Sequence, residues 1–226
     1  MAFGKAMHSG CETYLKTGSL DVMSALKLIT LDYEKNCYKP EYAKYSEANM
    51  HQLLDVGAGI LLDVPEYLNS TFPGWKFVAA EHYIYEPLTN HPGNYFKGFI
   101  DAVIEVPTPK KGPVTWIIDF KTCQWGWPAE KKQDVMIRNQ LVLYKSFWSK
   151  LRNVEMKTLR SGFVLLKKIS SPGKYCELVQ VSVGDVTSAR ALKLVDSMVN
   201  SLKKGISIKN RTSCERCEFK GTVHCT

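Results

Sequence analysis

Two stretches, Gly98-Phe99-Ile100-Asp101-Ala102-Val103-Ile104-Glu105 and Trp116-Ile117-Ile118-Asp119-Phe120-Lys121, decide the reading of this chain. Both are rich in β-branched and aromatic residues, which favour strands. The strands read as residues 96–106 and 114–120, and the seven residues between them, 107–113, hold three prolines and a glycine. That pattern predicts a strand-loop-strand hairpin. Each strand sets an acid inside or at the end of an apolar run, where a carboxylate is costly unless a partner neutralises it. Lys121 follows Asp119 by two positions and so shares its face of the strand. Hairpin pairing can bring Asp101 beside them. Two carboxylates and a lysine on one sheet face suit a divalent cation that hydrolyses a phosphodiester. The other reading is a buried Asp–Lys pair beside an unrelated acid.

Working outward, residues 2–17 are helix-compatible although glycines interrupt them. Ser19 is a candidate cap for a helix to residue 31, with Val22, Met23, Leu26 and Ile29 at helical spacing. A third helix is predicted over 42–62 and a strand over the aromatic run 75–88. After Lys121 comes a loop bearing Trp125, Gly126 and Trp127, then a long helix over 133–151. A second hairpin is predicted from 160–169 and 175–183 across Ser170-Ser171-Pro172-Gly173, and an amphipathic helix over 184–204. The order predicts an α/β fold with a mixed central sheet flanked by helices, a helical N-terminal part and a Cys-rich C-terminal tail. We read residues 1–226 as a single domain: 1–70 helical, 71–183 the sheet core, 184–226 the last helix and tail.

The 226 residues are 45% hydrophobic and 23% charged, which excludes wholesale disorder. No apolar run reaches the roughly 18 residues of a membrane span, and the first residues, Met1-Ala2-Phe3-Gly4-Lys5, lack a secretory layout. The net charge of +8 suits a polyanion, nucleic acid being the commonest, or belongs to a merely basic enzyme. Seven cysteines, an odd number, argue against a disulfide framework and for a reducing cytoplasm. Three of them, Cys214, Cys217 and Cys225, crowd the last thirteen residues and point to metal.

These residues carry a resemblance. Ile100-Asp101 followed by Asp119-Phe120-Lys121 resembles the PD-(D/E)xK nuclease core. Gly4-Lys5-Ala6-Met7-His8, Gly98-Phe99-Ile100-Asp101, Asp119-Phe120-Lys121-Thr122 and Gln140-Leu141-Val142-Leu143-Tyr144 resemble the G-x-x-x-H, G-x-I-D, D-[YF]-K-T and Q-x-x-x-Y motifs of its RecB-like branch. The tail cysteines resemble those of iron–sulfur members, the AddB-type and CRISPR-associated nucleases. The resemblance implies a restriction-endonuclease-like core. It implies Mg²⁺ or Mn²⁺ held by His8, Asp101, Asp119 and the backbone carbonyl of Phe120, with Lys121 catalytic, Gln140 and Tyr144 lining the site, and Glu81 a supporting acid. An imidazole ligand makes Mn²⁺ at least as suitable as Mg²⁺.

The implied activity is that of a metal-dependent deoxyribonuclease. The first expectation is an exonuclease on single-stranded DNA or DNA ends, in recombination, repair or phage DNA processing. It would work in the cytoplasm of a bacterial, archaeal or phage-infected cell, with any helicase or recombination partner on a separate chain. The alternatives are a structure-selective endonuclease on the same core, or an inactive subunit that only binds DNA. For the tail, the implied group is a [4Fe–4S] cluster, with zinc as the competitor and no metal as a third reading. A cubane wants four thiolates, and the family's first cysteine lies upstream of the G-x-x-x-H helix. Either such a piece is absent, or Cys11 or Cys37 substitutes, or the cluster is lost. A zinc site could add His224.

Trp125 and Trp127 read either as base-stacking groups at the mouth of the site or as packing over the core. Lys131 and Lys132, with Lys110 and Lys111, read as phosphate contacts or solvated charges. Gly4, four residues before His8, reads as room for close helix packing. His82 should point to the sheet face opposite Glu81.

Overall fold

The computed structural model describes residues 2–39, 46–109, 112–171, 173–206, 214, 217–223 and 225. Lys110, Lys111 and His224 lie outside them, as do residues 42–45 of the predicted third helix and Pro172 of the second hairpin loop.

The two decisive stretches form β2, Tyr95–Val106, and β3, Val114–Cys123. Before them come α1, Ala2–Thr17, α2, Val22–Asn36, α3, Glu47–Thr71, and β1, Lys76–Pro87. After them come α4, Ala129–Gln133, α5, Val135–Arg152, β4, Leu159–Lys167, β5, Cys176–Gln180, and α6, Asp185–Lys203. The five strands form one sheet in the order β1-β2-β3-β4-β5. It is mixed: β3 and β4 run parallel, joined through α4 and α5, and the other neighbours are antiparallel.

Alternation along the strands sends side chains into two cores. On one face Ala102, Ile104, Ile118, Phe120, Val164 and Leu166 pack beneath α1, α2 and α3. On the other, Ile100, Val103, Ile117, Phe163 and Leu165 pack beneath α5 and the Val199 turn of α6. Among the described residues no helix is long and apolar enough to cross a membrane.

Some helix details differ from the sequence reading or add to it. Asp21, not Ser19, caps α2 by accepting the Ser24 amide at 3.0 Å, because the helix begins at Val22 and Ser19 lies in the turn after α1, its amide donating to Thr17 Oγ1. Ser46 begins α3 through a capping box with Asn49. That helix passes 62 and continues through Pro65 to Thr71, because Val64 and Leu68 are buried and Asp63 accepts the Tyr175 and Cys176 amides. In α1 the close approach is at Gly10, where a Cβ would meet Leu61 at 2.6 Å, whereas one at Gly4 would meet Thr122 Oγ1 at an ordinary 3.6 Å.

Candidate active site

The ladder between β2 and β3 runs from Val106↔Val114 to Ala102↔Ile118 and stops there. The next positions in register are Asp101 and Asp119. Beyond this point β3 stays paired with β4 to Cys123↔Lys167, and β2 stays paired with β1 to Tyr95. The sheet therefore parts at the two acids. The period-two alternation breaks at the same place, since Ile100 belongs to the α5-side core and Ala102 to the α1-side core. In the gap the Phe120 amide donates to Asp101 Oδ2 at 2.7 Å, so a carboxylate replaces the missing ladder bond. A strand residue's N–H and C=O point the same way, so the Phe120 carbonyl also faces the gap.

Glu81 completes this region from β1. It lies between the pairs Ala80↔Ala102 and His82↔Ile100, which sets it opposite Asp101. Its φ of 49° is left-handed, unusual for a non-glycine in a strand, and such strain persists where the surroundings enforce it. His82, one residue on, packs edge-on against Trp148 of α5, 5.0 Å between ring centroids, on the opposite face.

α1 lays His8 across the opening. Its Nδ1 is 3.4 Å from Asp101 Oδ2, and its ring stands edge-on to Phe120. One ligand atom each from His8, Glu81 and Asp101 lie within 4.8 Å of one another. His8 and Glu81 border an open cleft of about 380 Å³, further lined by Gly4, Lys5, Ser9 and Glu12. Lys5, Ser9 and Glu12 were not singled out in the sequence, although Glu12 is four residues on from His8, on its helix face.

Asp119 is held differently. It is 1% exposed, and its Oδ1 accepts from Gln140 Nε2 at 2.8 Å. Gln140 also donates to the Tyr144 hydroxyl at 3.3 Å, so the α5 residues at i and i+4 act as one unit. Lys121 Nζ sits 2.6 Å from Asp119 Oδ2, yet that oxygen has no aligned hydrogen-bond donor. The contact is an ion pair at a buried oxygen with a lone pair to spare.

The electrostatics follow from crowding. Burial, then the Asp101 charge, push the Asp119 carboxyl up to about 7, against the pull of Lys121. Burial, then Asp101, also raise Glu81. For His8 burial alone would lower the value, but the contact with Asp101 outweighs it and the imidazole is raised. Two acids, Asp119 and Glu81, raised toward protonation near one imidazole are what a bound cation would relieve. One imidazole and two carboxylates, with a buried and poorly partnered Asp119 oxygen beside them, fit Mg²⁺ or Mn²⁺.

Solved structures share this fold. One is a protein of Eubacterium rectale provisionally named an exonuclease, 16% identical, with a TM-score of 0.52 over 97% of this chain and 74% of that one. No protein-family model matches the chain, and no curated protein matches it. At that identity the likeness shows the fold alone.

The remaining sequence candidates divide. Trp125 is 68% exposed and free to meet a base. Trp127 is a correction: it is 8% exposed, tilted against Phe163 at 5.1 Å, and Lys131 Nζ lies 4.8 Å from its ring centroid, so neither ring face is open to a base. Lys131 is thereby committed to Trp127, and Lys132 donates to Glu177 Oε1 at 2.7 Å, so both lysines already have protein partners. In the tail, Cys214, Cys217 and Cys225 are half-buried and in no disulfide. Their donor set is one thiolate short of a cubane. Cys11 cannot complete it without unpacking α1, because it is fully buried and burial raises its thiol far above the ordinary value. Cys37 is exposed at the end of α2.

Proposed function

We propose that this chain is a divalent-metal-dependent nuclease of the RecB-like PD-(D/E)xK type, a single catalytic domain that hydrolyses phosphodiester bonds in DNA. The observation that carries the reading is the meeting of His8, Glu81 and Asp101 within 4.8 Å where β2 and β3 part, with the Asp119–Lys121 pair alongside. His8, Glu81 and Asp101 would hold Mg²⁺ or Mn²⁺, joined by Asp119 and the Phe120 carbonyl. When bound, such a cation supplies Lewis acidity, drawing charge from the phosphodiester and acidifying a neighbouring water.

The chain's own residues do the rest. The Phe120 amide fixes the Asp101 carboxylate, and Gln140, steadied by Tyr144, fixes that of Asp119. Lys121 reaches the opening from the end of a strand and stays 32% exposed, so its ammonium can meet an attacking water or the charge building on phosphorus. The open cleft beside His8 and the net positive charge admit a polyanionic strand. Single-stranded DNA or a DNA end is the proposed substrate, in the bacterial, archaeal or phage setting that the motifs suggest. The tail cysteines would serve as a staple around iron–sulfur or zinc, with no part in the chemistry.

The test incubates purified protein with end-labelled single- and double-stranded DNA in Mn²⁺, Mg²⁺ or EDTA. Cleavage should require the cation, and Lys121→Ala should abolish it while DNA binding survives. A covalently closed single-stranded circle left intact identifies an exonuclease; a cut circle identifies an endonuclease. Wild type that binds DNA and never cuts it with Mn²⁺ present would refute the enzyme reading.

A further inference from the structure

Strands β1 and β2 extend about twenty ångströms past the candidate site, at about 3.3 Å per residue over the six residues from Glu81 to Pro87. Their even-numbered side chains face α5: His82 meets Trp148, Phe96 stacks on Phe147, and Gly98 lies under Tyr144. The odd-numbered ones face the other way. In register they form rungs, Tyr83↔Phe99, Tyr85↔Lys97 and Pro87↔Tyr95, continuing the rung of Glu81 and Asp101. α1 crosses the sheet at that last rung and heads elsewhere, with Tyr14 near Trp75 at one end and Gly4 near Thr122 at the other. Among the described residues no element covers the rungs.

Four aromatic rings therefore stand on one open face, from 45% exposed at Phe99 to 51% at Tyr85. They are ordered against one another. Tyr85 and Tyr95 stack at 4.5 Å and 4°, Tyr83 and Tyr85 lie parallel within 11°, and Tyr83 meets Phe99 at 5.0 Å. Lys97 stands among them, its Nζ 5.8 Å from the Tyr83 centroid. These rungs hold no acid, since Glu86, the acid on this part of the hairpin, is even-numbered and opposite Phe96. A contiguous apolar patch of this kind marks a binding surface on a soluble chain. Flat rings interleaved with a cation, free of carboxylates, on a chain of net charge +8, match bases and phosphates.

We propose that this face is a stacking track for single-stranded nucleic acid, made by Tyr83, Tyr85, Tyr95 and Phe99 with Lys97, which delivers a strand to the Glu81–Asp101 rung. The proposal rests on the nuclease reading for the fate of the strand, not for its capture. At about 3.4 Å per stacked nucleotide, the roughly twenty ångströms from Glu81 to Pro87 hold about six nucleotides.

The experiment measures anisotropy of labelled oligo(dT) and oligo(U) of increasing length in EDTA, so that binding is read without cleavage. Affinity should climb to about six nucleotides and then flatten. Tyr85→Ala and Phe99→Ala should each weaken binding about five- to a hundredfold, and Lys97→Ala should lower the salt slope by about one. Tyr85→Ile, which keeps strand propensity and removes the flat ring, should match Tyr85→Ala, and unchanged melting would exclude misfolding. Photocrosslinking of 5-iododeoxyuridine oligonucleotides should label the same rings.

Unchanged affinity in both ring variants overturns the track, as does crosslinking that maps only to Trp125. A wild-type dimer that these substitutions dissociate at constant oligonucleotide affinity would make the face a contact between two copies, and also overturns it. Wild type with Mn²⁺ on the same oligonucleotides reads the nuclease chemistry separately. Ring-dependent binding without cleavage keeps the track and removes the chemistry; cleavage with ring-independent binding does the reverse.

Discussion

Gly98→Ala inserts one methyl group where the fold has no room for it. Its Cβ would stand 2.6 Å from Tyr144 Cε1, 3.3 Å from the hydroxyl oxygen and 3.4 Å from Cζ. The ring cannot swing away freely, being 7% exposed and edge-on to Phe96. Overpacking of this kind costs about 1–3 kcal/mol. In a chain of this size that lowers the melting temperature by about 2–12 °C. The displaced hydroxyl belongs to the Gln140 unit that holds Asp119, so cleavage should fall further than stability alone explains. Thermal melting by circular dichroism, with cleavage measured well below the transition, reads both effects. Gly4→Ala is the control: its Cβ meets an ordinary 3.6 Å contact, and it should melt no lower than wild type. Adding Tyr144→Leu, which removes the crowding atoms, should make the Gly98→Ala loss less than additive. A Gly98→Ala protein that melts within a degree of wild type, or loses no more than Gly4→Ala, would refute the argument.

Gln140→Leu leaves a buried Asp119 oxygen without its donor, and activity or Mn²⁺ affinity should drop about 10–100-fold, measured by cleavage titrated with the cation. In metal-free protein, stability should fall as pH rises from about 4 to about 7, because Asp119, raised to about 7, binds its proton more tightly folded than unfolded. His8, also raised, acts in the same direction, its contribution present below its unfolded value and lost as pH climbs through the folded one. Denaturant melts at several pH values should show the slope, and Asp119→Asn should flatten it. Because bound cation needs deprotonated ligands, the Mn²⁺-induced rise in melting temperature should be larger at pH 8 than at pH 6. An equal rise at both would count against ligation by His8 and the carboxylates.

The sheet and its helices were legible because apolar runs, turn residues and helical spacing are local signals. The candidate site was legible in part for the same reason: Asp119 and Lys121 share a face by spacing, and Gln140 and Tyr144 share one by helical period. What lay hidden depends on register and backbone. The position of Glu81 opposite Asp101 rests on strand pairing and a left-handed φ that its side chain gives no hint of. The tyrosine rungs need the same register, because Tyr83 and Phe99 are sixteen positions apart in the chain. The third helix, predicted to end at 62, runs on through Pro65 to Thr71, because burial of Val64 and Leu68 is a tertiary effect that local spacing does not carry. Trp127 and Trp125 look alike in sequence, and only packing on Phe163 separates them.

The unusual bond at the strand opening turns the Phe120 amide into a reporter. Its proton is given to the carboxylate of Asp101, a proposed cation ligand, not to a backbone carbonyl of the next strand. Its exchange rate with deuterium, and its proton chemical shift, should therefore track whatever occupies Asp101, giving a spectroscopic gauge of ligation that needs no substrate and no turnover.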